Sequence, residues 1–325
     1  MSLSGITTRQ LALHLAVIAA LFLLQFVLPA YHHGIFARVM TLAVFAMGYN
    51  LLFGYTGLLS LGHAMFFAAG LYGAGLTVYH LGWNVPAAFA FGIACGAALG
   101  LGIGVLALRT AGVAFMIVTM MFGQVAYLLI LWFGDWTRGE EGLTLTAAQR
   151  QVGGLVLTDP TTRYFLAFAL FSIVLLLTLA VVRAPFGRVL VAIRENEERT
   201  RMLGYDTFAN KLGVFVLSGT VCAAAGAAYA LLFGYFGAGF AATAYSILPL
   251  LWVLVGGAAT VLGPLIGTLI MFYMIDLSND LLNARFPDWD LSYLGIVGVA
   301  LVLLILFFPK GLLGTIRERW APWLP

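Results

Sequence analysis

The chain has 325 residues, of which 62% are hydrophobic and only 9% are charged. Its mean hydropathy is +1.03, so the length does not predict two soluble domains but a helix bundle in a lipid bilayer. The net charge of +3 is not a nucleic-acid-binding signal, because the basic residues cluster at the ends of apolar segments. The two cysteines, Cys95 and Cys222, lie inside apolar segments and predict neither a disulfide nor a metal site.

About ten apolar segments are long enough to be transmembrane helices, which need about 20 such residues. They are predicted at residues 11–30, 36–53, 57–80, 86–108, 112–134, 163–182, 211–234, 244–260, 263–281 and 291–308. The predicted fold is therefore an all-α, polytopic membrane helix bundle. An even number of spans puts both chain ends on one side, and with both ends inside the inner segments carry eleven Lys and Arg residues against five outside. The positive-inside rule then predicts cytoplasmic N- and C-termini.

Two glycine-rich stretches interrupt this pattern, at residues 49–75 and 256–267. Glycine-broken segments at matching places in two halves of a membrane protein indicate a transport pathway between internal repeats. Tyr49–Gly57 and Tyr229–Gly237 are identical at seven of nine positions, and they follow predicted spans that are an odd number apart. The odd offset predicts an inverted 5+5 repeat, and a chance match in an apolar, glycine-rich chain is the alternative.

Polar residues inside apolar segments are candidates for lining such a pathway. The predicted pathway residues are Asn50, Tyr55, Ser60, His63 and Gln124. Structural alternatives stay open at this stage. His63 could be hydrogen-bonded within the bundle, Gln124 could be a packing residue, and Asn50 could bind backbone where glycines open a helix.

One charged loop, Arg183–Lys211, contrasts with the rest of the chain because it holds ten of the 29 Asp, Glu, Lys and Arg residues. Val189–Leu203 contains no Gly or Pro and predicts a helix, with Pro185 before it and Gly204 after it. Glu195/Arg199 and Glu197/Arg201 are spaced for i,i+4 ion pairs along that helix. On composition alone, the loop is either a solvated connecting helix or a docking helix for a cytoplasmic partner.

The sequence lacks the marks of the common enzyme classes. No predicted span holds paired carboxylates, and neither a His-Glu-x-x-His motif nor a Gly-x-x-x-x-Gly-Lys-Ser/Thr loop occurs. No catalytic residue, metal ligand or cofactor site is predicted, and if transport uses ATP then another chain must hydrolyse it. Few ionisable residues lie deep in the spans, which argues against a proton-coupled carrier.

Four stretches of sequence, taken in order, make a recognisable pattern. They are Tyr49–Gly75 with its Gly-Tyr-x-Gly-x-x-Ser-x-Gly-His core, Phe186–Gly204 with Ala-Ile-Arg-Glu-Asn-Glu, Gly256–Gly267, and Phe307–Gly314 with Phe-Phe-Pro-Lys-Gly. Together they resemble the permeases of branched-chain amino acid ABC importers, and the order is most similar to the LivM-type subunit. The resemblance extends over nearly the whole chain.

The resemblance implies a single transmembrane permease domain, 1–325, in a bacterial inner membrane. It implies four kinds of partner: a LivH-like second permease subunit, two ABC ATPase subunits, a periplasmic substrate-binding protein and the lipid bilayer. Residues 183–211 would be the cytoplasmic coupling loop that docks on an ATPase. The residues expected to contact the ATPase or shape the loop are Arg188, Arg194, Glu195, Asn196, Glu197 and Gly204.

The expected substrates are Leu, Ile and Val, delivered by the binding protein. A permease of the same superfamily for urea, short amides or a sugar is the first alternative. An ion-driven secondary carrier is less favoured, and no nucleophile–base pair supports an intramembrane enzyme.

Overall fold

The computed structural model of the chain describes residues 8–285, 295, 298–299, 302–303, 306–308, 310–319 and 323. The described part is an all-α membrane bundle. Its helices are α1 (Thr8–Val27), α2 (Ala30–Thr56), α3 (Ala64–Leu81), α4 (Val85–Ala107), α5 (Val113–Trp132), α6 (Gly134–Thr137), α7 (Pro160–Arg183), α8 (Pro185–Glu195), α9 (Glu197–Met202), α10 (Thr207–Phe233), α11 (Thr243–Gly256), α12 (Gly263–Arg285) and a final described helix, Gly311–Arg319.

Short strands and a 3₁₀ turn complete the described elements. Strand β1 (Leu143–Thr144) pairs antiparallel with β4 (Tyr235–Phe236), and β2 (Gln151–Val152) pairs antiparallel with β3 (Leu155–Val156). The 3₁₀ turn η1 covers Ala238–Ala241. These elements lie in the connections between helices.

Within the described residues, seven helices are long and apolar enough to cross a membrane, namely α1, α2, α3, α4, α5, α7 and α10. The predicted span 57–80 begins with non-helical residues, because α2 ends at Gly57 with a left-handed φ of 75° and α3 starts only at Ala64. The predicted span 244–260 is represented by α11, whose 14 residues are fewer than the roughly 20 that a crossing needs. The predicted tenth span, 291–308, lies largely outside the described residues.

Helices α2 and α10, each of 27 residues, pack against each other at the centre of the bundle. They are antiparallel, since Arg38 contacts Phe233 while Gly48 contacts Ser218. Helix α10 packs on α3 and α4, which follow α2, whereas α2 packs on α11 and α12, which follow α10. Each central helix therefore contacts the pair of helices that follows the other one.

Small residues allow this close packing. A Cβ atom at Gly70 of α3 would collide with the backbone of Ala223 in α10, and a Cβ at Gly226 would collide with the backbone of Phe67. In lipid, helices gain little from burying apolar surface, so backbone-to-backbone contact through small residues is a main source of association. The glycines of α3 and α10 are thus needed for the core itself.

Helix α7 connects two ends of the bundle. The Arg183–Lys211 loop follows its C-terminus, and this end is called the loop end. The β2–β3 hairpin precedes its N-terminus, and this end is called the hairpin end.

The single helix predicted over Val189–Leu203 is wrong, because the chain breaks at Asn196. Asn196 has φ −162° and ψ 103°, and its side-chain oxygen accepts a hydrogen bond from the Arg199 N–H at 2.9 Å. Asparagine side chains compete for backbone donors in this way and start a new helix rather than continuing an old one. The predicted Glu195–Arg199 pair spans the break and does not form, whereas Glu197 and Arg201 pair within α9 at 3.4 Å.

Candidate functional site

The non-helical segment between α2 and α3 puts Ser60 and His63 in the core, both with no exposed surface. His63 Nδ1 lies 2.9 Å from Ser60 Oγ, and His63 Nε2 lies 2.9 Å from Ser218 Oγ of α10. The Ser218 hydroxyl donates its proton to the Gly48 carbonyl at 2.6 Å, so it must accept from the Nε2–H of His63. Nδ1 is then the acceptor of the Ser60 hydroxyl proton, and the imidazole is neutral with both nitrogens bonded.

Two further contacts hold this cluster. The Tyr49 hydroxyl donates to the Ser60 carbonyl at 3.0 Å, and the Gly62 N–H donates to Ser60 Oγ at 3.3 Å. The ring of Phe66 stands edge-on to the imidazole at 5.3 Å. The cluster ties α2, the break and α10 together and leaves no ring nitrogen of His63 free for a ligand. A pathway role for Ser60 and His63 stays a prediction.

Asn50 joins α2 to the break between α11 and α12. Its Nδ2 donates to the Thr260 carbonyl at 2.9 Å, and its Oδ1 accepts from the Ala259 N–H at 3.1 Å. Ala259 has a left-handed φ of 57°, which is rare for a residue with a Cβ. The carbonyl of Ala259 in turn accepts from Arg317 of the final described helix at 2.8 Å. Asn50 and Arg317 thus bind the N–H and the carbonyl of one residue, Ala259, and hold it in its left-handed conformation.

The charged loop contacts the same end of α2. Arg194 of α8 donates through Nη1 to the Gly54 carbonyl, and its side chain lies against the left-handed Gly57 that ends α2. Tyr55 is only 3% exposed, and its hydroxyl has no hydrogen-bond partner within the described residues. Arg194 is the direct side-chain connection from the loop to the C-terminus of α2.

Gln124 lies apart from the other predicted pathway residues. It is exposed on α5, and its Oε1 accepts a hydrogen bond from Thr243 at 3.2 Å. Asn50, Tyr55, Ser60 and His63 are all buried. The structure therefore brings four of the five predicted pathway residues onto α2 and the break after it, and places the fifth near the start of α11.

The residues predicted for coupling take different positions in the loop. Arg188, Glu195 and Asn196 are exposed. Glu197 pairs with Lys211 of α10 at 2.6 Å. Gly204 has a left-handed φ of 90° and ends the loop helices. Of the six residues predicted for coupling, Arg188 and Glu195 are thus the two whose side chains are exposed and have no partner within the described part of the chain.

The pKa of Glu197 reflects this pairing. Partial burial by itself would raise the pKa of the carboxyl group. The hydrogen bond from Lys211 and its charge, with smaller contributions from Thr207 and Arg201, outweigh burial and lower the pKa. Glu197 therefore stays ionised and fastens α9 to the start of α10.

An exposed apolar tip on the loop was missed from the sequence. Met202 is 82% exposed, Leu203 is 71% exposed and Tyr205 is 48% exposed. Phe208, in the first turn of α10, is also exposed. Their position beside Gly204 was the available signal, because a left-handed glycine projects the residues around it out of the helix.

A row of half-buried aromatic side chains was also missed. The rings of Phe233 and Tyr229 lie 4.7 Å apart, those of Tyr229 and Phe240 5.1 Å, and those of Phe240 and Tyr245 5.2 Å. Phe67 lies behind the row and is fully buried. This aromatic row extends from the hairpin end of α10 to the start of α11. The signal for this row in the sequence was the second copy of the predicted repeat, Tyr229–Gly237, which contains two of its rings.

Among the described residues, no group of three or more His, Cys, Asp and Glu side chains is arranged to hold a metal ion.

A polytopic helix bundle with interrupted helices at its centre and a polar helical loop at one end defines the class of membrane transport permeases. The chain belongs to the family described as branched-chain amino acid transport system, permease component, whose model matches residues 32–306.

Individual relatives agree with this assignment. The chain is 25% identical to the high-affinity branched-chain amino acid transport system permease protein LivM of Salmonella typhimurium over 340 residues, which is 98% of this chain and 78% of the relative. It is 26% identical to the LivM protein of Escherichia coli K12, over 86% of this chain and 69% of the relative. It is 28% identical to the autoinducer 2 import system permease protein LsrC of Salmonella paratyphi B, over 72% of this chain and 67% of the relative. No solved structure matches the chain.

Proposed function

We propose that this chain is the LivM-type permease subunit of an ATP-driven importer that carries Leu, Ile and Val across a bacterial inner membrane. The similarity to LivM over 98% of the chain carries the proposal. In such an importer ATP is hydrolysed by two separate ABC ATPase subunits. A LivH-like second permease subunit completes the pathway, and a periplasmic binding protein delivers the amino acid.

The topology that we propose has ten spans with both chain ends in the cytoplasm. The loop end is then cytoplasmic and the hairpin end faces the periplasm, in agreement with the excess of Lys and Arg at the loop end. The reciprocal packing of α2 and α10 supports an inverted repeat of two five-span halves. Cysteine labelling from either side of the membrane at the exposed positions Arg188 and Arg138 tests the orientation.

In this proposal the loop Arg183–Lys211 couples ATP hydrolysis to transport. An exposed apolar tip at a cytoplasmic surface favours docking into a partner groove, because contiguous exposed apolar side chains mark interaction sites. The exposed Arg188 and Glu195 would set the orientation of docking by charge. The Arg194–Gly54 hydrogen bond would carry the movement of the docked loop to α2.

From α2 the movement would reach the second break through Asn50 and the peptide of Ala259. A rocking of the two halves about the glycine-rich breaks would then open the pathway alternately to each side. Selectivity would reside mainly in the binding protein.

The coupling hypothesis is tested by replacing Met202 and Leu203 with Ser in the full complex. We expect the ATPase subunits to co-purify at least about tenfold less well, because central apolar anchors carry most of the binding energy of an interface. The matched control is Leu155→Ser, which removes a similar exposed side chain at the hairpin end. Unchanged co-purification and transport in the double variant would reject the docking role.

The substrate is tested by uptake of labelled leucine into proteoliposomes that contain the complete set of subunits. We expect uptake that requires ATP and the binding protein and that resists an ionophore. The LsrC relative imports autoinducer 2 according to its name, so members of this family do not share one substrate. Uptake of urea or a sugar but not of leucine would overturn the substrate, and uptake without the ATPase subunits would favour a secondary carrier.

A further inference from the structure

Three arginines meet at the hairpin end of the central helices. Arg38 of α2 and Arg163 of α7 both stack on Phe233, with their guanidinium carbons 5.2 and 5.4 Å from the ring centroid. Arg150, from the loop before β2, donates to the Leu232 carbonyl at 3.2 Å. The three come from separate parts of the sequence, and only the fold assembles them. They are called the arginine cluster below.

The chain does not neutralise the arginine cluster. None of the three ion pairs found among the described residues involves it. Asp159 attracts Arg163 electrostatically, but the two form no ion pair, and the Asp159 carboxylate caps α7 by accepting from the Thr162 N–H at 2.9 Å and the Thr162 hydroxyl at 3.1 Å. The charges of Arg38 and Arg163 repel each other. Two or three positive charges are thus held together with little local compensation.

The hydrogen-bonding capacity of the cluster is also largely unused. Arg38 is exposed and makes no hydrogen bond within the described part of the chain. Arg150 is only 9% exposed, yet its Nε has no partner, and the buried Nε of Arg163 has none either. Arg163 uses one nitrogen to bind the Thr158 carbonyl at 3.2 Å. A guanidinium group presents five N–H donors in a fork that fits a carboxylate.

A structural role explains part of this arrangement. The C-terminus of α10 carries a partial negative charge of roughly half a unit. Arg150 interacts favourably with it by donating a hydrogen bond to the Leu232 carbonyl. Stacking on Phe233 also stabilises the guanidinium groups of Arg38 and Arg163. Neither effect requires three guanidinium groups at one place, and their mutual repulsion opposes it.

The surroundings of the cluster indicate the kind of ligand. Phe233 is the first ring of the aromatic row that continues through Tyr229 and Phe240 to Tyr245. These rings are half-buried and so offer an apolar surface beside the cluster. Their faces attract ammonium groups as well as alkyl chains. The combination suits a small molecule that has a carboxylate at one end, an ammonium group and an apolar side chain.

We propose that the arginine cluster is the first binding site for the carboxylate of the imported amino acid, with the aromatic row receiving its ammonium group and side chain. This proposal rests on the proposed function, because urea and sugars have no carboxylate. Arg38 is the direct ligand, Arg163 is the second, and Arg150 is a positioning residue that fixes the end of α10. The site is distinct from the predicted pathway residues on α2 and the break after it.

The test compares Arg38→Gln, Arg38→Lys and the control Arg138→Gln in the complete reconstituted complex. Arg138→Gln removes one exposed arginine from the hairpin end and changes the net charge equally. We expect Arg38→Gln to lower leucine uptake at least about tenfold, because it removes the charged donor that is proposed to bind the carboxylate directly. Arg38→Lys keeps the positive charge but loses the forked arrangement of N–H donors, so its leucine uptake should lie between that of the wild type and that of Arg38→Gln. For the control Arg138→Gln, both leucine uptake and ATP hydrolysis stimulated by the binding protein should stay within about twofold of the wild type.

A binding measurement separates the site from transport. The purified full chain in nanodiscs is examined by saturation-transfer NMR with isovalerate, leucine and leucinamide as probes. We expect isovalerate and leucine to give transfer and leucinamide, which lacks the carboxylate, to give at least about fivefold less. Replacing Arg38 and Arg163 together by Gln should abolish the transfer.

The outcomes are distinguishable. If the wild-type complex imports leucine and the Arg38→Gln variant imports it equally well, the arginine cluster is not a binding site for the amino acid, and the proposed function is unaffected. Wild-type import of urea or a sugar would overturn the proposed function first. An effect of Arg38→Gln confined to the affinity for the binding protein, or one seen only with phosphatidylglycerol in the bilayer, would assign the cluster to a protein surface or a lipid and overturn the site.

Discussion

Two groups of polar side chains lie along the central helices, and they differ in how far their hydrogen-bond donors and acceptors are satisfied within the chain. The cluster of Ser60, His63 and Ser218 is closed, because every donor and acceptor of the imidazole ends on another residue of the chain. The arginine cluster of Arg38, Arg150 and Arg163 is open, because some of its donors are unpaired and none of the ion pairs among the described residues involves it. A closed network specifies structure, whereas an open one is available to a ligand.

The difference between the two clusters indicates which residues of this bundle bind a ligand and which stabilise the fold. A lone histidine in an apolar segment attracts attention in a sequence, yet here its bonding capacity is used up inside the protein. The arginines look like ordinary interfacial charges in the sequence, yet three of them converge. Substitutions in the closed cluster should change stability first, and substitutions in the open cluster should change transport first.

The largest effect on stability is expected from His63→Leu. The change leaves the Ser60 hydroxyl proton without its acceptor and the Ser218 oxygen without the N–H that it accepts from, and each such loss in a buried site destabilises by about 1–3 kcal/mol. We expect a loss of about 2–6 kcal/mol, measured as thermal unfolding of the detergent-solubilised protein. The control is His80→Leu, at an exposed histidine in the last turn of α3. Equal stability of the two variants would show that the cluster of Ser60, His63 and Ser218 does not stabilise the fold.

A somewhat smaller effect is expected from Asn50→Leu. It removes two hydrogen bonds to the break between α11 and α12 and leaves the Ala259 N–H unsatisfied, a loss of about 2–3 kcal/mol. Asn210→Ala serves as the control, because Asn210 bonds only to its own helix turn through the Asp206 carbonyl. The measurement is the same unfolding assay, and a stable Asn50→Leu variant would place Asn50 outside the closed network.

Arg38→Gln should lower stability by no more than about 1 kcal/mol, because the exposed arginine loses only its stacking on Phe233. Its removal deletes no hydrogen bond of the described chain and relieves repulsion with Arg163. The same variant should lose most of its leucine uptake. A strong loss of thermal stability would make the arginine cluster structural and remove the contrast with His63.

The smallest effect is expected at the Glu197–Lys211 pair. The folded-state pKa of Glu197 is lowered from 4.5, so the pair contributes stability above pH about 4.5 and loses it as the pH falls through the lower, folded-state pKa. Glu197→Gln should therefore be less stable than the wild type at neutral pH, and the difference should vanish in acid. Glu198→Gln, at an exposed carboxylate, is the control, and a difference that grew in acid would have the wrong sign.

The sequence predicted the helical class and most spans because length and hydropathy decide them locally. It failed at Val189–Leu203, where Asn196 caps a second helix instead of continuing the first. The segment contains no Gly or Pro, so its composition did not predict that the helix ends there. Asparagine ends a helix only when its side chain can bind a nearby backbone N–H. The exposure of Met202 and Leu203 depends on where that second helix ends, and their position beside Gly204 was the signal for it in the sequence.

The sequence by itself determined that the chain is a helical membrane protein, where its helices are interrupted and which loop is charged, because these depend on composition and short-range pattern. Only the tertiary structure decided what the polar residues do. Whether a buried imidazole is satisfied depends on a serine 155 positions away, and whether an arginine is paired depends on helices that meet only in the folded bundle. Hydrogen bonds and charges act over a few ångströms in space, and the chain alone does not specify which distant groups come within that range.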